Sequence, residues 1–354
     1  MEFDKIISDL KNKVYHPVYF LMGEEPFFID EVSNYIEKNV LEESEKGFNQ
    51  TILYGGETNI RTVLSEAKSY PMMSNYRVVI VKEAQHMKDL VPKDKSVSKE
   101  KEEKTHPLLS YLDNPQKSTL LVFCHKYKTV DMRTAIGKAI EKKTVVLKSD
   151  TIYDYKVPKW IEGFVAQKHY SIEAQASALL TEFLGNDLSR IANELEKLFL
   201  NLPGREAGIP ERNKITTDHI QKYIGISKEY NNFELQDAIG KKNALKANRI
   251  INYFASNPKD NPMVVTVASL AGYFSKVLTY HALPDKSQNN VAAALKVNPF
   301  FVKDYAAAAQ NYPFNKTMNI ISVLREYDMK SKGYETTGMP EGELMKEMLF
   351  RIMH

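Results

Sequence analysis

The chain has 354 residues, 43% of them hydrophobic and 26% charged, which are ordinary proportions for a globular protein and more chain than one core needs. A net charge of +3 argues against a protein built mainly to hold nucleic acid, and a single cysteine excludes a disulfide framework. Apolar runs such as Val78-Val79-Ile80-Val81 and Leu120-Leu121-Val122-Phe123 are strand-sized, and the start Met1-Glu2-Phe3-Asp4-Lys5 lacks an apolar signal region, so a cytoplasmic protein with no membrane partner is expected.

From the start to residue 147, short apolar strands alternate with helix-period segments. The pattern predicts strands at 18–22, 50–54, 78–81, 119–123 and 144–147, with helices over 28–40, 60–67, 108–112 and 134–140. Such alternation implies right-handed crossovers and a mostly parallel sheet covered on both faces: an α/β domain over residues 1–147. The run 93–106 mixes lysines and acids with one apolar residue, Val97, and reads as a solvated loop without an assigned function.

Beyond about Lys148 no strand signal recurs. Leu188, Ile191, Ala192, Leu195, Leu198 and Phe199 form one apolar helical stripe, with Asn186 or Asp187 as its cap and Pro203-Gly204 as its stop. A break at Gly225-Ile226-Ser227-Lys228 divides a helical segment over 148–226 from a second over 227–354. The last helix repeats Leu344/Met348/Ile352 and Met345/Leu349/Met353, and so needs an apolar partner inside the chain or on another subunit.

The predicted strand 18–22 runs into Gly23 and then a helix, the place where a phosphate loop belongs. That loop needs a second glycine five residues on, then Lys for the β/γ-phosphates and Ser or Thr for Mg²⁺. Here Phe28, Ile29 and Asp30 occupy those three places. Pro26 removes one amide donor, and Glu24 and Glu25 would set two like charges beside a polyphosphate. The strand 78–81 should end in an Asp-Glu pair for the metal and the attacking water, but ends in Lys82-Glu83. Ordinary triphosphate binding is therefore not expected: no cofactor, no catalytic residue, and Gly23 as a tight strand-to-helix turn.

No other constellation promises chemistry. Cys124 and His125 are neighbours on a strand and should point to opposite faces, and the eight histidines show no metal-ligand spacing. Asp131-x-Arg133 reads as a helix start capped by Asp131 or Thr129. More informative is the connection Ser69-Tyr70-Pro71-Met72-Met73-Ser74-Asn75-Tyr76 between a helix and a strand. Consecutive methionines there cannot both face the core. Either one tucks inward and its neighbour is incidental, or Met72 and Met73 protrude as an adaptable apolar plug.

These residues resemble a family. Leu21-Met22-Gly23-Glu24-Glu25-Pro26-Phe27-Phe28-Ile29-Asp30-Glu31, Arg77-Val78-Val79-Ile80-Val81-Lys82-Glu83-Ala84, Ser118-Thr119-Leu120-Leu121-Val122-Phe123, Gly185-Asn186-Asp187-Leu188-Ser189-Arg190, Asn193-Glu194-Leu195-Glu196-Lys197-Leu198, Phe233-Glu234-Leu235 and Asn298-Pro299-Phe300-Phe301-Val302-Lys303 are similar, in order and spacing, to the delta subunit of the bacterial DNA polymerase III clamp loader. The resemblance implies an AAA+-like N-terminal domain (1–147), a helical lid (148–226) and a helical collar (227–354) that assembles with the other loader subunits. It also implies a subunit of the polymerase III holoenzyme that binds the sliding clamp and helps open the ring without hydrolysing ATP.

In the family an apolar pair in the connection before the third strand enters a pocket on the clamp. Met72 and Met73, after Pro71, occupy that place, where the family pair is often Leu-Phe. Arg190 stands where an active AAA+ subunit would place a nucleotide-sensing arginine, and here a structural or interface role is expected. Primer–template DNA is an expected partner within the assembled loader, with Lys126, Lys128 and Arg133 as basic candidates. The competing reading is an ATP-hydrolysing AAA+ motor with an atypical nucleotide site, against which Ile29 and Lys82 argue.

Overall fold

The computed structural model describes residues 3–90, 106–202, 213–225, 230–334 and 338–354. Most of the 93–106 charged run and the Gly/Pro-rich stretch after Leu202 lie outside the described residues. The chain forms two compact units, Met1–Ile152 and Tyr153–His354.

Among the described residues the first unit is built on five parallel strands: β1 (Val18–Gly23), β2 (Gln50–Tyr54), β3 (Arg77–Lys82), β4 (Thr119–Lys126) and β5 (Val145–Ser149). Their order across the sheet is β2-β3-β4-β1-β5. The central strands are nearly all apolar because both faces are covered. Phe20, Met22, Val79, Val81, Leu121 and Phe123 pack on one side against helices Ile60–Lys68, Pro107–Asp113 and Ala135–Lys143. Their neighbours Tyr19, Leu21, Val78, Ile80, Leu120 and Val122 pack on the other against helices Phe3–Lys11 and Pro26–Asn39. Alternation of side chains along each strand produces these two cores from one continuous apolar run.

The chain leaving β1 crosses to the β2 edge, whereas the chain leaving β4 crosses the other way to β5. The carboxyl ends of β1 and β4 therefore flank the topological switch point, the crevice where open α/β sheets bind ligands. Local chemistry sets the helix starts around it. Asn59 accepts from the Thr62 N–H at 3.0 Å and Thr134 from the Gly137 N–H at 3.0 Å, each satisfying a first-turn amide. The cap of the latter helix is thus Thr134, not Asp131 or Thr129. Asp131 instead brackets Arg133, accepting from its backbone N–H at 2.9 Å and its guanidinium at 2.8 Å.

The second unit is mostly helical. One departure from expectation is a parallel pair of two-residue strands, Ser171–Ile172 and Lys214–Ile215, too short to register as periodicity. The helix Leu188–Asn201 buries Leu188, Ile191, Ala192, Leu195 and Leu198 as its stripe requires, and Asp187 caps it through the Arg190 N–H at 2.9 Å. Among the described residues, seven α-helices from Asn232–Gly240 to Glu341–Met353 enclose a third core running from Leu235 to Ile352. The terminal helix Glu341–Met353 lays Leu344, Met345, Met348, Leu349 and Ile352 against helices Ala244–Ser256 and Phe314–Ser331, so those apolar rows find their partner inside the same unit. Among the described residues one helix, Met263–Ala282, is long and apolar enough to cross a membrane, a longer run than the strand-sized ones of the first unit. Its Val267, Leu270, Phe274 and Val277 sit in the core of the second unit.

Candidate functional site

At the switch point the loop after β1 is closed from within. Gly23 has φ +142°, and a Cβ there would lie 2.0 Å from the Ser149 carbonyl oxygen. The amides of Glu24 and Glu25, which would face phosphate in a working loop, donate to that same carbonyl at 2.8 and 3.3 Å. The Ser149 hydroxyl returns a 2.6 Å hydrogen bond to the Glu25 carbonyl. The buried Glu25 side chain turns inward and caps the next helix through the Phe27 N–H at 3.1 Å, with Pro26 at its first position.

The remaining motif positions are also committed. Ile29, in the place of the phosphate-loop lysine, is fully buried among Leu21, Val32 and Val122. Asp30 pairs with Lys126 at 2.7 Å, and Lys82 pairs with Glu37 at 2.8 Å. Burial works against the Lys82 ammonium, but the Glu37 carboxylate holds it above its ordinary value. Glu83, φ +54°, begins a short 3-10 turn at Ala84–His86. Lys82 therefore meets a carboxylate where a magnesium ligand would stand. These residues do not fit a nucleoside triphosphate and its metal: the donor amides are taken, the lysine is replaced by a core residue, and Asp30 and Lys82, at the places of the metal ligands, are held in ion pairs. Among the described residues no group of three or more His, Cys, Asp or Glu could hold a metal.

Cys124 and His125 do face opposite sides of the sheet. Cys124 is buried with the Leu21 and Val122 core, and burial pushes its thiol up to about 12 despite a hydrogen bond with Ser33. His125 lies near Phe20 on the other face, its Nδ1 3.0 Å from the Lys128 carbonyl, and burial lowers its pKa from the ordinary value. A nucleophile–base pair is not formed.

The connection before β3 is the opposite of closed. Met72 is 60% exposed and Met73 is 102% exposed, so neither tucks inward. Tyr70 and Phe48, the latter 68% exposed, add two more large apolar side chains on the flanking segments. The backbone beneath them is fixed. Asn49, only 1% exposed, reaches from the end of helix Glu43–Asn49 and grips Met72 twice: its Nδ2 donates to the Met72 carbonyl at 2.9 Å, and the Met72 N–H donates to its Oδ1 at 2.7 Å. A third bond, Nδ2 to the Glu45 carbonyl at 3.2 Å, orients the amide.

Arg77, at the start of β3, supplies the second anchor. Its Nε donates to the Glu66 carbonyl at 3.1 Å, its Nη1 to the Phe48 carbonyl at 3.1 Å, and its Nη2 to the Glu66 carboxylate. Met72 is thus tied to helix Glu43–Asn49 and Arg77 to that helix and helix Ile60–Lys68, and Met73 has φ +53°, a left-handed conformation that residues with a Cβ seldom adopt. Pro71 is half-buried at the base. Sequence reasoning located the methionines but missed Asn49, Arg77 and Phe48. An exposed Phe following the polar residues Glu43-Ser44-Glu45-Lys46 was the available signal for the last.

The family model described as DNA polymerase III, delta subunit matches residues 19–150, and the model for the C-terminal domain of the same family's proteins matches residues 229–350. The chain belongs to the DNA polymerase III delta subunit family. The DNA polymerase III subunit delta of Bacillus subtilis (strain 168) is 26% identical over 350 residues, 98% of this chain and 95% of its own length. Among solved structures, the Bacillus subtilis DNA clamp loader delta protein matches with a TM-score of 0.54 and 23% identity over 99% of both chains, a likeness that bears on the fold. The architecture is an α/β N-terminal unit with a parallel sheet, followed by a mostly helical unit. The basic candidates Lys126 and Arg133 are engaged with Asp30 and Asp131, and Arg190 is exposed on helix Leu188–Asn201.

Proposed function

We propose that this chain is a non-ATPase clamp-loader subunit that docks on the sliding clamp through Met72 and Met73 and favours the opened ring during DNA replication. The observation that carries the reading is the pair itself: two adjacent, solvent-presented thioether side chains whose backbone is clamped by a buried asparagine. Burying both would contribute about 3–6 kcal/mol before ordering costs, enough to anchor an interface. Prior fixation of the connection reduces those costs. Opening follows from differential affinity: a contact made better with a distorted ring than with a closed one shifts that equilibrium without a chemical step.

The filled switch point complements this reading. With the loop amides bonded to Ser149 and Lys82 bonded to Glu37, the domain keeps the sheet as a scaffold, and nucleotide-driven motion belongs to neighbouring subunits. Within the same reading, residues 148–226 form the lid and 227–354 the collar that joins those subunits; the continuous core from Leu235 to Ile352 gives the collar its own rigidity. Primer–template DNA is a partner of the assembled loader, and the cytoplasm is where that assembly works. The test is clamp release from nicked circular DNA. The isolated chain should accelerate release with no nucleotide added. Absence of release, or micromolar ATP binding by the isolated chain, would overturn the proposal.

A further inference from the structure

The same pair carries a chemistry that a hydrocarbon pair would lack. Met72 and Met73 present their thioethers to solvent, whereas Met22, Met263, Met345 and Met348 are fully buried in the apolar cores of the two units. An accessible thioether reacts with a hydroperoxide by oxygen-atom transfer. With hydrogen peroxide, a sulfur lone pair forms the S–O bond, the O–O bond breaks, and the departing hydroxide takes the proton of the new hydroxysulfonium, leaving water and the neutral sulfoxide. Sulfur is oxidised and the peroxide reduced, with no other reactant required. The product, methionine sulfoxide, is polar, and its oxygen would lose its water hydrogen bonds on entering an apolar pocket.

The scaffold would survive this change. Asn49 holds Met72 by its main-chain N–H and carbonyl, and Arg77 bonds Glu66 and Phe48, so no contact that fixes the connection passes through either sulfur. Oxidation would alter the docking chemistry and leave the fold in place. The geometry points to Met72 and Met73 as a reversible oxidation site through which hydroperoxide switches clamp docking off and methionine sulfoxide reductase restores it. This inference rests on the docking reading above.

The experiment treats the full-length chain with millimolar hydrogen peroxide, maps sulfoxides by peptide mass spectrometry and measures binding to immobilised clamp. Wild type should acquire sulfoxide at both positions and lose about tenfold or more in affinity, with recovery after incubation with the reductase and a dithiol. The variant Met318→Leu/Met329→Leu/Met339→Leu, which keeps the pair and removes the exposed methionines of the helical unit, should lose clamp affinity on peroxide treatment as wild type does. Undiminished binding by wild type carrying both sulfoxides overturns the inference and leaves the docking reading intact. Peroxide resistance of clamp binding in that variant overturns it as well. Failure of untreated wild type to bind the clamp overturns both readings.

Discussion

Replacing Asn49 by Ala tests whether the methionine pair works because it is held, and not merely because it is exposed. The substitution removes the two bonds to Met72, at 2.7 and 2.9 Å, and the third to the Glu45 carbonyl at 3.2 Å. At about 0.5–1.5 kcal/mol each, the two Met72 bonds contribute about 1–3 kcal/mol to fixing the connection. The freed Met72 groups can reach water because the residue is largely exposed, so the loss of global stability should fall at the low end, about 1–2 kcal/mol. The larger effect is on binding. Holding Met73 at φ +53° costs about 1–2 kcal/mol, and without Asn49 the connection relaxes to extended backbone that the clamp must reorder. Clamp affinity should therefore fall about 5- to 30-fold, the ratio that 1–2 kcal/mol implies. Urea unfolding gives the stability and surface plasmon resonance on immobilised clamp gives the affinity. A folded Asn49→Ala protein with clamp affinity within about twofold of wild type would refute the claim that fixation matters.

Three further outcomes follow from the same geometry. Phe48→Ala should weaken clamp binding about three- to tenfold with stability nearly unchanged, because the side chain is exposed and Arg77 bonds the main-chain carbonyl, which the substitution keeps; calorimetry on the clamp complex checks it. Gly23→Ala should destabilise the N-terminal unit by roughly 3 kcal/mol or more, since the new Cβ would meet the Ser149 carbonyl at 2.0 Å on a backbone φ of +142°; a loss below about 1 kcal/mol in urea titration contradicts the closed-loop geometry. His125 is buried neutral, with its folded-state pKa below the ordinary 6.5. The unfolded chain then binds more protons, so stability is full above about pH 6.5 and declines as pH falls through the folded-state value. His125→Gln should flatten that decline, and an unchanged slope in unfolding measurements between about pH 7 and about pH 5 would count against it.

Much of the first unit was legible because its strands are buried on both faces and so write themselves as unbroken apolar runs; Val78–Val81 and Leu120–Phe123 needed no long-range information. The failure of the phosphate loop was legible too, since Phe28, Ile29 and Asp30 stand at fixed offsets from Gly23. What closes the loop was not. Ser149 lies 124 residues from Glu25, and nothing local says that its carbonyl will take the amides of Glu24 and Glu25. Asn49 is similar: a lone asparagine after a polar helix reads as a surface residue until the fold brings Met72, 23 positions away, to its amide. The Asp131–Arg133 pair reads as a helix start because Asp is a good cap in isolation, whereas Thr134 sits where the first turn begins. Residues of the same type in sequence are thus separated by contacts that only the folded chain creates.

The measurement that bears most directly on the central claim is the affinity of the double variant Met72→Ala/Met73→Ala for immobilised sliding clamp, compared with wild type under the same conditions. Truncating two exposed side chains leaves Asn49, Arg77 and both cores in place, so circular dichroism and urea unfolding should be unchanged. Loss of about 3 kcal/mol or more, a roughly hundredfold or greater fall in affinity, with assembly into the loader retained, is the expected result. A folded double variant that binds the clamp as tightly as wild type would contradict the account.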